Sequence, residues 1–506
     1  MDSPSPSRSV VLEKWNRWIA RREIVLALAA VGIFFLLNLS IASRSPFGGW
    51  MDETCYVDPG LNLATGKGWT STAWTFQTDR EFWAMNSPLY PGALYPWARA
   101  FGVSMIACRA YCYFLSALGT AFFWLAAFRF KFVNPAGRLF WVVLLSTEYS
   151  TNWMMRNERY DVWIFLGLGL ALLGASLMGA TGRYGLIFVG CLLGPVAGFV
   201  CIPYIFTMAA LVACLTAFRR WKEALVAMLG TVCGVGAVFA FYYWAGALGN
   251  FVRILRSHTA LNANAASLGV HASKWQVFLY PREDYGVILM IAALLLLTLA
   301  CWRNRDTASR RWMWLGWGTV FLVPCIMLLR ASFGMMYFYM VIIPLSLSIF
   351  SLLTLHQSAN RRRWSVAAVV VALLGVTCLT GLPARLYTTF KEWNFRDPQH
   401  LQDFVHRHIT PDDRVLTDST FYFVLRDHVR FCAESHYIGG IPPDEATNLN
   451  VLILPVSRFP DLTRDVSGLE NIGEGWKKIA VFPTGEMLSN LKHSPHSTES
   501  FVLYRR

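Results

Sequence analysis

The sequence predicts a polytopic α-helical membrane protein that carries a small α/β domain after its last span. Three observations lead there. Of the 506 residues, 55% are hydrophobic and only 15% charged, where a soluble domain has about a quarter charged residues. The apolar residues gather in blocks of about 18–25, the length that crosses a hydrocarbon core. After residue 383 the pattern changes: charge rises, apolar runs shorten and strand-like pieces appear.

The net charge of +14 would suggest nucleic acid in a soluble chain. Here Arg and Lys concentrate in short links between apolar blocks, where they set orientation across the bilayer. The lipid bilayer is therefore an expected partner, and nucleic acid is not.

Residues 1–23 are polar, with Ser/Pro repeats and then Lys14, Arg17, Arg21 and Arg22, and read as a cytoplasmic N-terminus. The apolar run over 24–42 outlasts a signal-peptide core and continues into 40–47 without a small-residue cleavage site, so a retained first helix is expected. An outer loop, 43–102, follows, polar up to about Ser87. Its Trp69, Trp74, Phe76, Phe82 and Trp83 argue against disorder and suit the aromatic belt of the interface. Further spans are expected at 103–128, 138–155, 161–180, 185–200, 204–218, 223–247, 286–301, 312–329, 335–355 and 365–383, about eleven with the first. The basic links 129–138, Arg183, 219–222, 303–311 and 361–363 then all fall on the cytoplasmic side. The transmembrane domain is 24–383; the loop 248–285, the segment 157–161 and the domain 384–506 fall outside.

In that outer domain, strands are expected at 415–417, 451–454 and 478–482. A helix over 400–408 precedes them, with a turn at Thr410-Pro411-Asp412-Asp413. Most of the eleven cysteines lie in spans, where they act as small hydrophobes. Cys108 and Cys112 are a helical turn apart with no further metal ligand at suitable spacing. Only Cys55 and Cys432 face outside, and no disulfide between them is expected.

Two acid clusters stand at the outer ends of spans: Asp52-Glu53 after the first, and Arg156-Asn157-Glu158-Arg159-Tyr160-Asp161 at the head of another. Singly, each reads equally well as an interfacial carboxylate or a helix N-terminal acid. Together at one surface, they point to a shared polar cavity, because ionisable groups at membrane depth are usually functional.

Asp52-Glu53-Thr54-Cys55-Tyr56, Leu61-Asn62-Leu63-Ala64, Gly66-Lys67-Gly68-Trp69 and Asn86-Ser87-Pro88-Leu89-Tyr90-Pro91 together resemble the opening of the GT-C glycosyltransferases. That class includes protein O-mannosyltransferases and bacterial lipid A aminoarabinose transferases. Its acid pair opens the first outer loop, a Pro-Leu-Tyr segment begins a juxtamembrane helix, and an Arg-x-Asp element, here Arg159-Tyr160-Asp161, heads a later span. The likeness covers about the first 200 residues in order and topology, and the later spans and outer domain loosely.

The resemblance implies inverting transfer of a sugar from a polyprenyl-phosphate donor to a glycan, lipid or protein acceptor at the outer face of a bacterial inner (plasma) membrane. Nucleotide sugars are cytoplasmic, so acids on the outside suit a lipid-linked donor. Such a transfer needs a base near the acceptor and cations at the departing phosphate. Asp52, matching the first acid of the pair, is the expected base; Glu53 is an orienting neighbour and Asp161 an acceptor-orienting or metal-coordinating partner. Tyr56, Asn86, Glu158, Arg159 and Tyr337 are candidate substrate-binding residues. Arg253, Arg256, His258, His271, Lys274 and Arg282 of the 248–285 loop, and Arg330 before Met335-Met336-Tyr337-Phe338-Tyr339, are candidates for the phosphate. Anionic lipid headgroups would suit the loop cations equally well.

One departure matters. Aminoarabinose transferases carry Glu-Lys-Pro-Pro where this chain has Met85-Asn86-Ser87-Pro88, so an acid that could help hold a metal and a Lys that could meet a phosphate are both missing. Glu81 replaces that acid only if the loop register shifts. A divalent ion is the one cofactor left open. Two rival functions use the same kind of chain: a lipid-linked glycan transporter or flippase, for which Gly194-Pro195 and Pro203 would be helix breaks, and an outer-face glycan polymerase or ligase relying on loop Arg and His.

Overall fold

The computed structural model describes residues 8–44, 51–73, 77–131, 133–199, 201–217, 219–264, 285–302, 307–329, 335–359, 364–434, 447–455, 475–483 and 500–506. Each sequence-predicted span has a helical counterpart. They begin with α1 (Arg8–Ser40), α4 (Met105–Phe130), the pair α5 (Pro135–Thr147) and α6 (Tyr149–Arg156), α7 (Asp161–Ser176), α8 (Arg183–Gly198), α9 (Ile202–Ala217) and α10 (Trp221–Trp244). Then come α12 (Gly286–Cys301), α13 (Thr307–Leu329), α14 (Tyr339–Ala359) and α15 (Trp364–Thr380). Ile24, Val25, Leu28, Leu36, Leu229, Val232 and Leu299 are exposed on these helices, which in so apolar a set marks a lipid-facing surface.

Among the described residues, five helices are long and apolar enough to cross a membrane, or six if the sharply bent pair α6–α7 counts as one span; α8, α12 and part of α9 are shorter apolar helices. The expected count of eleven is thus not reached by length and composition. The stretch read as one span over 138–155 divides because Glu148 leaves the helical backbone. Its carboxylate caps α6, accepting from Ser150 N at 3.0 Å and Thr151 N at 2.9 Å. After α6 the chain turns by 119° into α7.

Small residues bring the helices together. A Cβ on Gly167 of α7 would lie 2.6 Å from the carbonyl oxygen of Gly190 of α8, and one on Gly190 2.5 Å from that of Gly167. Without side chains, two backbones meet where lipid offers no hydrophobic drive. In α8, Pro195 cannot donate to the Cys191 carbonyl, and Tyr204 Oη from α9 donates to it instead at 2.8 Å.

The expected outer loop 43–102 is largely helical: α2 (Met51–Ala64) and α3 (Leu89–Phe101) occupy it. They close on each other where a Cβ on Gly60 would lie 2.5 Å from Pro91 O. Trp69 stacks with Phe82 at 5.9 Å and meets Phe241 of α10 at 5.9 Å; Trp74 and Phe76 lie outside the described residues. The 248–285 loop likewise begins as helix α11 (Leu248–Asn264), whose apolar positions Phe251 and Ile254 are buried at helical spacing.

A helix α16 (Leu382–Lys391) leads into the C-terminal domain, where α17 (Pro398–His408) and α18 (Ser419–Leu425) pack on a five-stranded sheet. Its strands are β1 (Arg414–Thr417), β2 (Phe431–Glu434), β3 (Val451–Pro455), β4 (Lys477–Phe482) and β5 (Phe501–Arg505), in spatial order β2-β1-β3-β5-β4. β1 runs parallel to β2 and β3, whereas β5 runs antiparallel to β3 and β4. The expected strands at 415–417, 451–454 and 478–482 and the helix at 400–408 are present; β2, β5 and α18 are additions, too short to show a period in the sequence. Phe404, Phe421, Phe482 and Phe501 form the core between sheet and helices, with ring centroids 5.2–5.8 Å apart.

Candidate active site

Asp52 and Glu53 occupy the first turn of α2. Neighbours on a helix point about 100° apart, so the two acids enter different networks. Asp52 Oδ2 pairs with Arg159 Nη1 at 2.6 Å. Arg159 is the hub of that network. Its Nε meets Asp161 Oδ2 at 3.1 Å, and its Nη2 donates to Tyr337 Oη at 2.8 Å and Tyr160 Oη at 3.0 Å. The guanidinium also lies over the rings of Tyr56, Tyr160 and Tyr337 at 5.6, 5.1 and 5.4 Å. Tyr339 Oη donates to Asp161 Oδ1 at 3.3 Å. The planar fork of an arginine lets one side chain hold both acids.

Glu53 turns the other way, to Arg109 of α4 at 3.5 Å, and Arg109 Nε lies 3.0 Å from Glu158 Oε1. Arg109 also donates to the Ala42 carbonyl at 2.8 Å, and the amide of Asn157, with its nitrogen toward Glu53, donates to Glu53 Oε1 at 3.0 Å. The segment Asn157 to Tyr160 therefore serves both layers, with Glu158 on Arg109 and Arg159 on Asp52. Exposure separates the acids. The Asp52 side chain is 16% exposed, against 3% for Glu53, 1% for Asp161 and 0% for Glu158.

Asn86 is buried. Its Oδ1 accepts from Ser87 N at 2.8 Å, its Nδ2 reaches Tyr56 Oη at 3.4 Å, and its carbonyl accepts from Tyr242 Oη. Ser87 Oγ donates to Pro195 O at 2.6 Å and accepts from Phe199 N at 2.7 Å, so it sits inside the α8 ladder and clasps the loop to that helix. Tyr56 and Tyr160 meet edge to face at 5.0 Å.

Of the candidate phosphate cations, Arg253 pairs with Glu81 at 3.0 Å on the surface, and Arg256 is exposed on α11. Glu81 is thereby engaged by Arg253 and by Thr78 N at 2.9 Å, away from the Asp52 network. The side chain of His258, and all of His271, Lys274, Arg282 and Arg330, lie outside the described residues. No three His, Cys, Asp or Glu side chains converge as a metal site among the described residues. Arg159 lies between the carboxylates of Asp52 and Asp161, where a shared cation would sit, so this donor set does not fit a divalent ion.

Several partners escaped the sequence reading. Arg109, an ionisable residue inside an apolar block, carried a signal; Tyr339, adjacent to Tyr337, carried none. The far side of α2 holds another unforeseen pair: Asp58 Oδ1 faces Arg426 of the C-terminal domain at 3.4 Å, and Arg426 donates to Asn62 Oδ1 at 2.6 Å. Thr72 Oγ1 and Tyr422 Oη lie 2.7 Å apart, and Glu434 N donates to Thr72 O at 3.2 Å. Burial works most strongly against the Arg426 cation, yet Asp58, Tyr422 and Asp427 together outweigh it and the pKa rises. Cys55 and Cys432 are both buried free thiols, and Cys55 donates to the Ala73 carbonyl at 2.9 Å.

No family model matches the chain, and no curated protein does. Solved structures do. ArnT from Cupriavidus metallidurans bound to undecaprenyl phosphate superposes with a TM-score of 0.59 at 12% identity, over 95% of this chain and 97% of that one. The arabinofuranosyltransferase AftD from mycobacteria gives a TM-score of 0.50 at 15% identity, over 97% of this chain but 40% of that one. At such identities the likeness is one of fold, and the fold is that of the GT-C glycosyltransferases.

Proposed function

We propose that this chain is an integral membrane glycosyltransferase of the outer face, moving a sugar from a polyprenyl-phosphate donor to an acceptor with inversion, with Asp52 as general base. The observation that carries this reading is exposure: Asp52 is 16% exposed while every other acid of the two networks is sealed. Among these four acids, only Asp52 can meet an acceptor hydroxyl. Its Oδ2 is held by Arg159, and among the described residues nothing donates to Oδ1.

In the reaction the acceptor oxygen attacks the anomeric carbon while Oδ1 takes its proton, and the bond from that carbon to the phosphate oxygen breaks with its electron pair going to the phosphate. The residues first read as catalytic or substrate-binding then divide by reach. Asp161, Tyr160 and Tyr337 position Asp52 through Arg159; Glu53 and Glu158 do so through Arg109. Arg256, exposed on α11, is a described cation offered for the leaving phosphate, whereas Arg330, Lys274 and the side chain of His258 lie outside the described residues. The Arg159 cation takes the place between the acids, so the reading routes no step through a metal. The membrane is taken to be a bacterial inner membrane, the N-terminus inside and the 384–506 domain outside, which follows from the basic links.

The test is a strain lacking the protein, complemented with wild type or Asp52→Asn, with its glycolipids and glycoproteins compared by mass spectrometry. Wild type restores a sugar-bearing species, and Asp52→Asn, present in membranes at wild-type level, does not. Full restoration by Asp52→Asn, with loss in Arg256→Ala or His258→Ala, would transfer the role to the loop cations and to a polymerase or ligase.

A further inference from the structure

α2 carries Asp52 in its first turn, yet further along its sequence is a poor helix. Pro59 has no N–H to give the Cys55 carbonyl, Asp58 before it is disfavoured in the helical region, and Gly60 follows. A helix with such a joint bends there unless outside contacts hold it straight. A bend at 58–60 would swing the turn that bears Asp52.

Contacts from the C-terminal domain hold this joint. Asp58 is fully buried; its Oδ1 faces Arg426 Nη2 at 3.4 Å, and its Oδ2 accepts from Thr72 N at 3.1 Å and Asn62 Nδ2 at 3.3 Å. Arg426 follows the last turn of α18 and also donates to Asn62 Oδ1 at 2.6 Å. One guanidinium thus grips α2 on both sides of Pro59, at Asp58 before it and at Asn62 after it. Around this grip, Tyr422 Oη of α18 lies 2.7 Å from Thr72 Oγ1, and Lys67 Nζ meets Asp427 Oδ1 at 2.9 Å and the Arg426 carbonyl at 3.2 Å. The Lys67–Asp427 pair is half-exposed, and such pairs contribute little. The side chains of Asp58 and Arg426 are 0% and 3% exposed, and breaking a buried pair leaves a charge that water cannot reach.

We propose that Arg426 is a positioning residue for the transfer reaction: by spanning Pro59 it keeps α2 helical and aims Asp52 into the site, so the C-terminal domain belongs to the catalytic apparatus. The inference rests on the reading of Asp52 as the base. Arg159 fixes the carboxylate, and Arg426 fixes the helix that bears it.

The test is hydrogen exchange by mass spectrometry on the full-length protein in detergent, followed over 51–58, together with sugar transfer in the complemented strain. In Arg426→Gln the amides of 51–58 are expected to exchange about tenfold faster, and transfer to fall by about 100-fold, the scale of a displaced catalytic group. Asp58→Asn, in which Arg426 keeps Asp427 at 3.3 Å, is expected to give both changes in the same direction without stranding a charge, and it serves if Arg426→Gln does not accumulate. Arg505→Gln removes a pair with Asp413 inside the C-terminal domain and is the control for a merely weakened domain; it is expected to leave exchange over 51–58 and transfer at wild type. Unchanged exchange over 51–58 in Arg426→Gln and Asp58→Asn overturns the proposal, as do equal losses in Arg505→Gln, or wild-type transfer in both variants while Asp52→Asn is inactive. Transfer by Asp52→Asn removes the base, and with it the catalytic part of this inference; that failure shows in the transfer assay, whereas failure of the Arg426 grip shows in exchange.

Discussion

Replacing Arg159 by Lys keeps the charge and removes the fork, which isolates what geometry contributes. Arg159 uses Nη1 for Asp52, Nε for Asp161 and Nη2 for Tyr337 and Tyr160. A lysine ammonium is one point at the end of a flexible stem and cannot stand between both acids. Asp161, at 1% exposure, is the acid that water cannot rescue. One lost charge-assisted hydrogen bond costs about 1.5–3 kcal/mol, and a buried acid stripped of its cation about 3–5 kcal/mol. A loss of about 3 kcal/mol is therefore expected for Arg159→Lys, read as a lowered thermal midpoint in detergent, with transfer reduced by about 100-fold, as a misplaced catalytic group allows. Adding Asp161→Asn removes the buried charge that lacks its partner, so the double variant should recover part of the stability but not the transfer. The coupling between the two substitutions should exceed about 1 kcal/mol. Wild-type stability and transfer in Arg159→Lys, or strict additivity in the double variant, would refute the account of Arg159 as the hub that holds Asp52.

Arg426→Gln leaves Asp58 buried without a cation; the C-terminal domain should loosen from α2, seen as faster proteolysis within 384–506, and Asp58→Asn in the same chain should slow it again. Gly190→Val places a branched side chain against the α7 backbone; a loss of about 1–3 kcal/mol is expected from overpacking, measured as a lower thermal midpoint, whereas Gly185→Ala, with open space around it, should be silent. Burial would raise the Asp413 carboxyl, but hydrogen bonds from Arg505 and Thr410 outweigh it and hold the pKa below the usual carboxylate range. A depressed folded pKa contributes stability fully present above the unfolded value of about 3.9 and lost as pH falls through the folded one. Hydrogen exchange in β1 and β5 should therefore accelerate only below about pH 4, and Asp413→Asn should remove that step while raising exchange at neutral pH.

Periodicity and composition carried the helices well, because an apolar block long enough to cross a bilayer has few other folds open to it. They carried the start of α7 at Asp161 and the helix 398–408 to within a residue or two. They failed where a single polar contact decides the local structure. Glu148 breaks a run that reads as continuous, and α2 hides in a loop because Pro59 and Gly60 speak against a helix that its packing on Pro91 sustains.

From the sequence alone came the membrane class and the two acid clusters, since those rest on local pattern and charge, and the family resemblance singled out Asp52. The structure alone decided which cation meets which acid. Asp52 and Glu53 are chain neighbours, yet their arginines are 107 and 56 residues away, and Asp58 meets Arg426 from another domain. Such pairings depend on which helix faces close on one another, and a buried charge takes whichever partner the packing brings within reach of it. Exposure, the property that separates Asp52 from its sealed companions, likewise exists only once the chain has folded around it.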